Sequence, residues 1–303
     1  MKRKWVVRGL ALALGTAMAL VLGEIVYRAT RLVDLSPTTH PGYVVHHEEL
    51  GWAYLPNARE RHATAEFDVE IAINAHGFRG PDWPVTFGAP GRKTVLVLGD
   101  SFAFGWGVEW SSCFCARLAA AHPEWDVLDA AVSGYGTDQQ WLVLQRLRPV
   151  VRPDVVVCVF CINDLWESCA DMAYGRRKPV VRTNGDRLEV CGVPVASSLL
   201  ERASALWCAV QKKAWEFRFA SAVRDSEVEW AHVERLYRAM RDELNGVPLL
   251  LVSDERRIAL FAATEPAIEH LDTGPLLDSE PLRGRFAVDG HWNAAGHAVV
   301  ARG

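Results

Sequence analysis

Hydrophobic residues in the C-terminal two thirds of the chain follow two alternating patterns. Short, nearly unbroken apolar runs are typical of strands that are buried on both faces. Between them, apolar residues recur every three or four positions, as on one face of a helix. Such alternation of strands and helices predicts a parallel, doubly wound α/β sheet. The predicted strands are Val95–Leu98, Val127–Ala131, Val155–Cys161, Val247–Val252 and Ile268–Leu271.

The segments outside this alternation divide the chain further. Residues 31–64 have no clear period and contain several prolines, which indicates a stalk or linker, and residues 67–74 alternate as a half-exposed strand. An insertion at about 165–225 contains a hairpin signal, Asn184-Gly185-Asp186. We therefore expect an N-terminal segment over 1–30, a linker over 31–64 and one α/β domain over 65–303. Two capping boxes, Thr137-x-x-Gln140 and Ser198-x-x-Glu201, predict helix starts.

The first 30 residues combine a basic start with an apolar run. Lys2, Arg3, Lys4 and Arg8 precede an uncharged stretch that ends at Gly23. Continued to Tyr27, a helix here measures about 28 Å, close to the roughly 30 Å of hydrocarbon in a bilayer. An uncleaved membrane anchor is the favoured interpretation, and a cleaved signal peptide or a buried helix are the alternatives. The basic residues are expected to stay cytoplasmic, which puts the rest of the chain on the exported side of a bacterial inner membrane, in the periplasm or outside the cell.

Composition excludes some classes of protein. The chain has 303 residues, a net charge of −4 and no long basic run beyond its first residues, so binding to nucleic acid has little electrostatic support. Its seven cysteines fit no metal pattern, and we expect neither a metal nor an organic cofactor. Cys158 and Cys161 are expected to be small buried thiols. Whether Cys169 and Cys191 form a disulfide is left open by the sequence.

One predicted strand ends in a glycine turn that delivers a serine. Side chains just beyond the carboxyl end of a parallel strand face the crevice in which ligands bind. Ser101 is therefore a candidate nucleophile, and a nucleophilic serine needs a base, an orienting carboxylate and donors for an oxyanion. Each has a candidate further along the chain. The four short segments concerned are Gly99-Asp100-Ser101, Ser133-Gly134-Tyr135-Gly136, Ile162-Asn163-Asp164 and Asp289-Gly290-His291-Trp292-Asn293.

The order and content of these segments resemble the conserved blocks of the SGNH/GDSL hydrolase superfamily. The resemblance covers roughly residues 94–303. Leu50-Gly51-Trp52 and His76-Gly77-Phe78-Arg79 resemble the membrane-anchored branch of that superfamily. The resemblance implies a three-layer α/β/α, flavodoxin-like fold and the activity of an esterase or O-acyltransferase. The single residue between Asp289 and His291 resembles SGNH proteins that handle acetyl groups on exported polysaccharides.

The chemistry of the residues and the resemblance assign the same roles. Ser101 is expected to be the nucleophile and His291 the base, because imidazole titrates near neutral pH. Asp289 is expected to orient the imidazole ring. The oxyanion hole is expected to comprise the N–H groups of Ser101 and Gly134 and the side-chain amide of Asn163.

Each assignment has a structural alternative. Ser101 could be only a helix N-cap, and Gly134 only a turn glycine. Asn163 could form an Asx turn and leave Asp164 as the functional group. His297 competes with His291 for the role of base, although its position one turn into the last helix favours packing or capping.

The favoured function is a serine esterase, held to the membrane by its N-terminal helix, that acts on an acylated small molecule, glycan or lipid of the cell envelope. An O-acetyltransferase of exported polysaccharide and a catalytically silent glycan-binding protein are the alternatives. A lipase of the α/β-hydrolase fold is disfavoured, because Ala103 stands where the Gly-x-Ser-x-Gly elbow requires its second glycine.

Overall fold

The computed structural model describes most of the chain, and its central feature is a parallel sheet with helices on both sides. It describes residues 2–30, 43–185, 187–198, 201, 204–219, 227–279 and 284–303. The strands of the sheet are β5 (Lys93–Leu98), β6 (Trp125–Asp129), β7 (Val155–Val159), β12 (Leu249–Ser253) and β13 (Ile268–Asp272). All of the strand pairs in this sheet are parallel. The five strands that the apolar runs predict are therefore present, with ends shifted by at most two residues.

The order of strands across the sheet is β6-β5-β7-β12-β13. Numbered along the chain, this is the flavodoxin-like order 2-1-3-4-5, which confirms the predicted fold class. Leu96 and Val97 at its centre are fully buried. The direction in which the chain winds reverses between β5 and β7. Ligands bind at this switch point in open α/β sheets, beyond the carboxyl ends of the strands.

Helices cover the sheet in two layers. In one layer α4 packs against α7, and in the other α3 packs against α10. The helices of the domain are α2 (Ser101–Phe104), α3 (Phe114–Ala121), α4 (Thr137–Val151), α5 (Asn163–Glu167), α6 (Ala205–Phe219), α7 (Glu227–Leu244), α8 (Arg256–Ala262), α9 (Gly274–Asp278) and α10 (Ala294–Val300). Residues 110–112 form a single 3₁₀ turn.

The segment before the sheet is folded onto the domain, which differs from the predicted stalk over 31–64. Residues 43–72 form two antiparallel hairpins made of β1 (Val44–His47) with β2 (Gly51–Tyr54), and β3 (Arg59–Ala63) with β4 (Asp68–Ala72). Trp52 is fully buried and donates its indole N–H to the carbonyl of Ser133. Burial of an aromatic ring with its polar atom satisfied stabilises this contact, so residues 43–64 belong to the domain. Residues 31–42 lie outside the described part.

In its described residues, the insertion carries short hairpins and the helix α6. One hairpin pairs β8 (Met172–Ala173) with β9 (Arg176–Arg177). The other pairs β10 (Val180–Asn184) with β11 (Arg187–Cys191), as the turn signal at 184–186 predicts. Ser198 and Glu201 exchange two hydrogen bonds of 2.5 and 3.1 Å, which is the predicted capping box. The box predicted at Thr137 is wrong, because Gly136 occupies the cap position of α4 and no side chain caps it.

The N-terminal helix α1 (Lys2–Thr30) contains a stretch, Lys4–Ala29, long and apolar enough to cross a membrane, with a mean hydropathy of 2.0. The most apolar part of α1 is not buried against the described part of the protein, which disfavours the alternative of a buried helix. By length and composition α1 is a candidate anchor or signal sequence.

The cysteines are free thiols in this structure. Cys169 and Cys191 do not form a disulfide, and Cys158 is buried as expected. Cys161 is only partly buried, because it follows the end of β7.

Candidate active site

Ser101 lies immediately beyond β5, at the first position of α2. Gly99 precedes it with φ of +157°, and a Cβ there would stand 2.6 Å from the Cβ of Ala103, so only glycine fits this turn. Asp100 is the residue that caps α2, since its side chain accepts a hydrogen bond from the N–H of Phe102 at 2.9 Å. The cap position therefore belongs to Asp100, and the hydroxyl of Ser101 is left for other contacts.

Ser101, His291 and Asp289 form one hydrogen-bonded series. The Nε2 atom of His291 lies 2.7 Å from the Oγ atom of Ser101, and its Nδ1 atom lies 2.5 Å from Oδ1 of Asp289. All three side chains are half-buried. A hydroxyl that contacts an imidazole, itself held by a carboxylate, can be deprotonated as it attacks an electrophile.

Asp289 has several hydrogen-bond donors. The backbone N–H of His291 donates to Oδ1 at 3.2 Å, and the indole N–H of Trp106 donates to Oδ2 at 3.1 Å. Partial burial raises the pKa of Asp289, but the hydrogen bonds and charge of His291, together with the bond from Trp106, outweigh it, and the pKa lies below its usual value. Asp289 is therefore ionised at neutral pH, as a carboxylate beside an imidazolium must be.

Two residues whose backbone N–H groups are unpaired among the described residues line the same cleft. Gly134 has φ of +79°, a conformation that favours glycine. Within the described part of the chain, the N–H groups of Ser101 and Gly134 donate to no other protein group. Both residues line the cleft together with Asn163. Unpaired N–H groups beside a nucleophile are what an oxyanion hole requires.

Asn163 is engaged with two buried acids. Its Nδ2 atom donates to Oδ2 of Asp100 at 3.2 Å and to Oε2 of Glu167 at 3.1 Å. The hydroxyl of Tyr174 donates to the other oxygen of Glu167. The amide of Asn163 therefore reaches the cleft with both hydrogens already near carboxyl oxygens, which the sequence did not predict.

Burial shifts these acids towards their neutral forms. Burial raises the pKa of Glu167 to about 8, with a further increase from the charge of Asp100 and opposing hydrogen bonds from Tyr174 and Asn163. Burial likewise raises the pKa of Asp100 and of Asp164. Desolvation disfavours the charged form of each carboxyl group.

The cleft around Ser101 has a volume of about 570 Å³. The rings of Phe102 and Trp106 stand near the nucleophile, and the imidazole of His291 lies 4.7 and 5.8 Å from them, centroid to centroid. Four charged residues also line the cleft, namely Lys212, Asp254, Glu255 and Arg285. The lining thus combines aromatic rings beside the nucleophile with charged and apolar side chains elsewhere.

The competing residues lie away from this arrangement. His297 is buried, accepts the backbone N–H of Phe114 at 3.3 Å, and has its pKa lowered to about 3, chiefly by burial. Asp164 is fully buried and accepts from Gln140 at 3.0 Å, so it does not reach the cleft. Burial also raises the pKa of Cys161, which keeps that cleft thiol protonated.

Some residues of the site carry no signal in the sequence. Glu66 binds the backbone beside Asp289 from the β3–β4 hairpin, and Tyr174 reaches Glu167 from the insertion. Neither belongs to a recognisable motif. Among the described residues, no group of three or more His, Cys, Asp or Glu side chains could hold a metal ion.

Comparison with known proteins gives one family match. The model of the GDSL-like lipase/acylhydrolase family matches residues 97–299, about two thirds of the chain. No curated protein matches the chain.

Several solved structures are similar at low identity. An acetylxylan esterase from Geobacillus stearothermophilus is 15% identical, with 72% of this chain and 93% of that chain covered and a TM-score of 0.40. A lipolytic protein of the G-D-S-L family from Veillonella parvula is 12% identical, over 69% and 94% of the two chains, with a TM-score of 0.43. A psychrotrophic esterase from Pseudoalteromonas sp. is 11% identical, over 69% and 93%, with a TM-score of 0.42.

Proposed function

Since the chain belongs to the GDSL-like lipase/acylhydrolase family and is an ester-hydrolysing enzyme, we propose that it cleaves O-acyl esters through an acyl-enzyme on Ser101. The observation that carries this proposal is the hydrogen-bonded series from Ser101 through His291 to Asp289, at 2.7 and 2.5 Å. Imidazole in this position serves as base in one half of the reaction and as acid in the other.

In the first half of the reaction, the Oγ atom of Ser101 attacks the ester carbonyl while Nε2 of His291 takes its proton. The bond to the leaving alcohol then breaks, and His291 returns that proton to the alcohol oxygen. In the second half, His291 deprotonates a water molecule that attacks the acyl-serine. The bond between the acyl group and Oγ then breaks, and His291 returns the proton to Oγ, which releases a carboxylic acid and restores Ser101. Asp289 fixes the tautomer of His291 and stabilises the imidazolium in both halves.

The negative oxygen of each tetrahedral intermediate accepts hydrogen bonds from the N–H groups of Ser101 and Gly134. Asn163 supplies a third donor when its amide turns one hydrogen from Glu167 to the oxyanion. Glu167 is suited to this exchange, because its pKa of about 8 leaves it mostly uncharged at neutral pH, and a neutral acid accepts hydrogen bonds less strongly than a carboxylate.

The lining of the cleft favours an acylated sugar as substrate. The rings of Phe102 and Trp106 provide an apolar site for a short acyl group near Ser101, and Asp254 and Arg285 can hydrogen-bond to hydroxyl groups. The hypothesis that the protein only binds a glycan is disfavoured by the intact contact between Ser101 and His291. If a sugar hydroxyl replaces water in the second half, the same residues catalyse O-acyl transfer.

We also propose that α1 holds the enzyme to a membrane, with the domain on the exported side. Its carboxylate Glu24 accepts the hydroxyl of Ser204 at 2.7 Å and the backbone N–H of Leu206 at 3.0 Å. Leu206 is about 9 Å along α6 from Lys212, which lines the cleft. This contact keeps the cleft near the membrane end of α1, within reach of envelope substrates. Fractionation of cells that express the full chain tests the location.

The substitution Ser101→Ala tests the mechanism. We expect it to abolish turnover of p-nitrophenyl acetate and labelling by a fluorophosphonate probe while the protein stays folded, because no other residue supplies the attacking oxygen. Ser111→Ala, which alters an exposed serine on the 3₁₀ turn, is the control and should keep full activity. Turnover of Ser101→Ala at the wild-type rate would refute an acyl-serine mechanism. Formation of an acylated sugar instead of free acid would favour the transferase.

A further inference from the structure

The turn that carries Asp289 and His291 lies at the protein surface. It is closed by two backbone hydrogen bonds between Phe286 and the residues His291 and Gly290, at 2.8 and 3.2 Å. The side chain of Val288, at its tip, is 89% exposed. Because the turn is exposed, the position of the Asp289 carboxylate depends on contacts from outside the turn.

Glu66 provides two of these contacts. The backbone N–H groups of Val288 and Asp289 donate to its two carboxylate oxygens, at 3.0 and 2.7 Å. Glu66 lies between β3 and β4, more than 200 positions earlier in the chain. Hydrogen bonds to an ionised acceptor are shorter and stronger than those between neutral groups, and two of them on adjacent N–H groups fix the orientation of the peptide as well as its position.

Neighbouring side chains of the same hairpin hold the other side of the turn. Phe67 packs against Phe286 of the turn with ring centroids 5.3 Å apart, and against Trp106 at 6.1 Å. Trp106 in turn donates to Asp289 and packs against His62 of β3 at 4.2 Å. The hairpin thus reaches Asp289 by two routes, through the backbone from Glu66 and through the indole of Trp106.

We propose that Glu66 is a positioning residue of the active site, and that the β3–β4 hairpin is a functional part of the enzyme although it lies before residues 97–299 of the family match. This inference rests on the proposed function, since it concerns the same Asp289 and His291. Glu66 touches no reacting atom. It holds Asp289 so that the carboxylate stays 2.5 Å from Nδ1 of His291 and keeps Nε2 directed at Ser101.

Kinetics of the full-length protein with p-nitrophenyl acetate test the role. Glu66→Ala should lower kcat about 10- to 100-fold with little change in KM, because small misplacements of catalytic groups cost this much. Glu66→Gln should recover part of the loss, since its amide oxygen still accepts one of the two N–H groups. The rate of labelling of Ser101 by a fluorophosphonate should follow the same order.

The matched control is Glu70→Gln on the same hairpin. Glu70 is exposed and pairs with Arg59 at 2.8 Å, away from the turn. If these substitutions act only through folding of the hairpin, Glu66→Ala and Glu70→Gln should both lose activity in proportion to their folded fraction. Equal losses in the two variants, or an unchanged kcat in Glu66→Ala, would overturn the proposal.

Hydrogen exchange separates this proposal from the proposed function. Peptides that cover residues 286–291 should exchange their amide hydrogens faster in Glu66→Ala than in the wild type, because two donors lose their acceptor. If the wild type hydrolyses no ester, the acyl-enzyme proposal fails. Faster exchange in Glu66→Ala would still support the proposal that Glu66 holds the turn. If the wild type is active and Glu66→Ala exchanges these amide hydrogens no faster than the wild type, Glu66 does not hold the turn.

Discussion

The two ends of the cleft hold their carboxyl groups in opposite ways. At the base end, Asp289 is half-buried, receives hydrogen bonds from His291 and Trp106, and has a lowered pKa. At the oxyanion end, Asp100 and Glu167 are buried and have raised pKa values, with Glu167 at about 8. The depth of burial accounts for this difference, since desolvation outweighs the hydrogen bonds of Asp100 and Glu167 but not those of Asp289.

Each end has the charge that its proposed chemistry needs. An imidazolium forms at the base end, and an ionised carboxylate stabilises it. A negative oxygen forms at the oxyanion end, where a charged carboxylate would repel it. Burial of Glu167 keeps that acid mostly neutral near pH 7, so it can hold Asn163 without placing a full charge under the oxyanion. The same residue type therefore serves opposite purposes in one cleft.

The largest effect is expected at the base end. Asp289→Asn should lower kcat by about 10³- to 10⁴-fold with a nearly unchanged KM, because an amide favours the wrong tautomer of the imidazole. Steady-state kinetics measure this, with Asp242→Asn as the control, since Asp242 is exposed and pairs with Arg241 far from the cleft. A loss of only a few-fold would mean that Asp289 does not orient His291.

At the oxyanion end, Asn163→Ala should lower kcat by about 10²- to 10³-fold, the usual cost of one oxyanion donor. Substrate binding in the ground state should change little, so KM should stay close to the wild-type value. Asn184→Ala, an exposed amide in the β10–β11 hairpin, is the matched control. If Asn163→Ala keeps its kcat, the amide stays bound to Asp100 and Glu167 during the reaction and the hole consists of backbone donors alone.

The smallest effect on activity is expected for Glu167→Gln, because glutamine resembles the protonated acid. Activity at pH 7 should change only a few-fold, while stability should respond differently to pH. The pKa of Glu167 rises from about 4.3 in the unfolded chain to about 8 in the folded protein. The folded state therefore holds a proton that the unfolded state has lost, and wild-type stability decreases as pH rises between these two values.

Thermal melts at several pH values measure this difference. Between pH 5 and 8 the melting temperature should fall less in Glu167→Gln than in the wild type. Glu269→Gln, at an exposed position of β13, should melt like the wild type throughout. Parallel curves for Glu167→Gln and the wild type would show that Glu167 is ionised in the folded protein, and the contrast between the two ends of the cleft would disappear.

Much of this arrangement could be predicted from local patterns. The five strands of the sheet and the last helix follow from unbroken apolar runs and helical periodicity. Gly99 before Ser101 and Gly134 occupy backbone positions that favour glycine. The choice of His291 over His297 also follows from position, since His297 falls inside α10 and is buried there.

Residues 43–64 show where local patterns fail. They have no clear period and contain proline, so they resemble a linker, yet Trp52 and Tyr54 are buried against the domain. Short irregular strands are stabilised by the surfaces on which they pack, and those surfaces include residues about 80 positions later. Local composition does not predict such contacts between distant segments.

The sequence by itself determined the order of strands and helices, the fold family and the residue types of the cleft, because these depend on periodicity and on short segments with special backbone geometry. Only the tertiary structure decided that Glu66 binds the backbone at Asp289, that Asn163 lies against two acids, and which carboxyl groups are charged. Hydrogen bonds between distant segments and the desolvation of buried groups depend on the folded surroundings, which no short stretch of sequence contains.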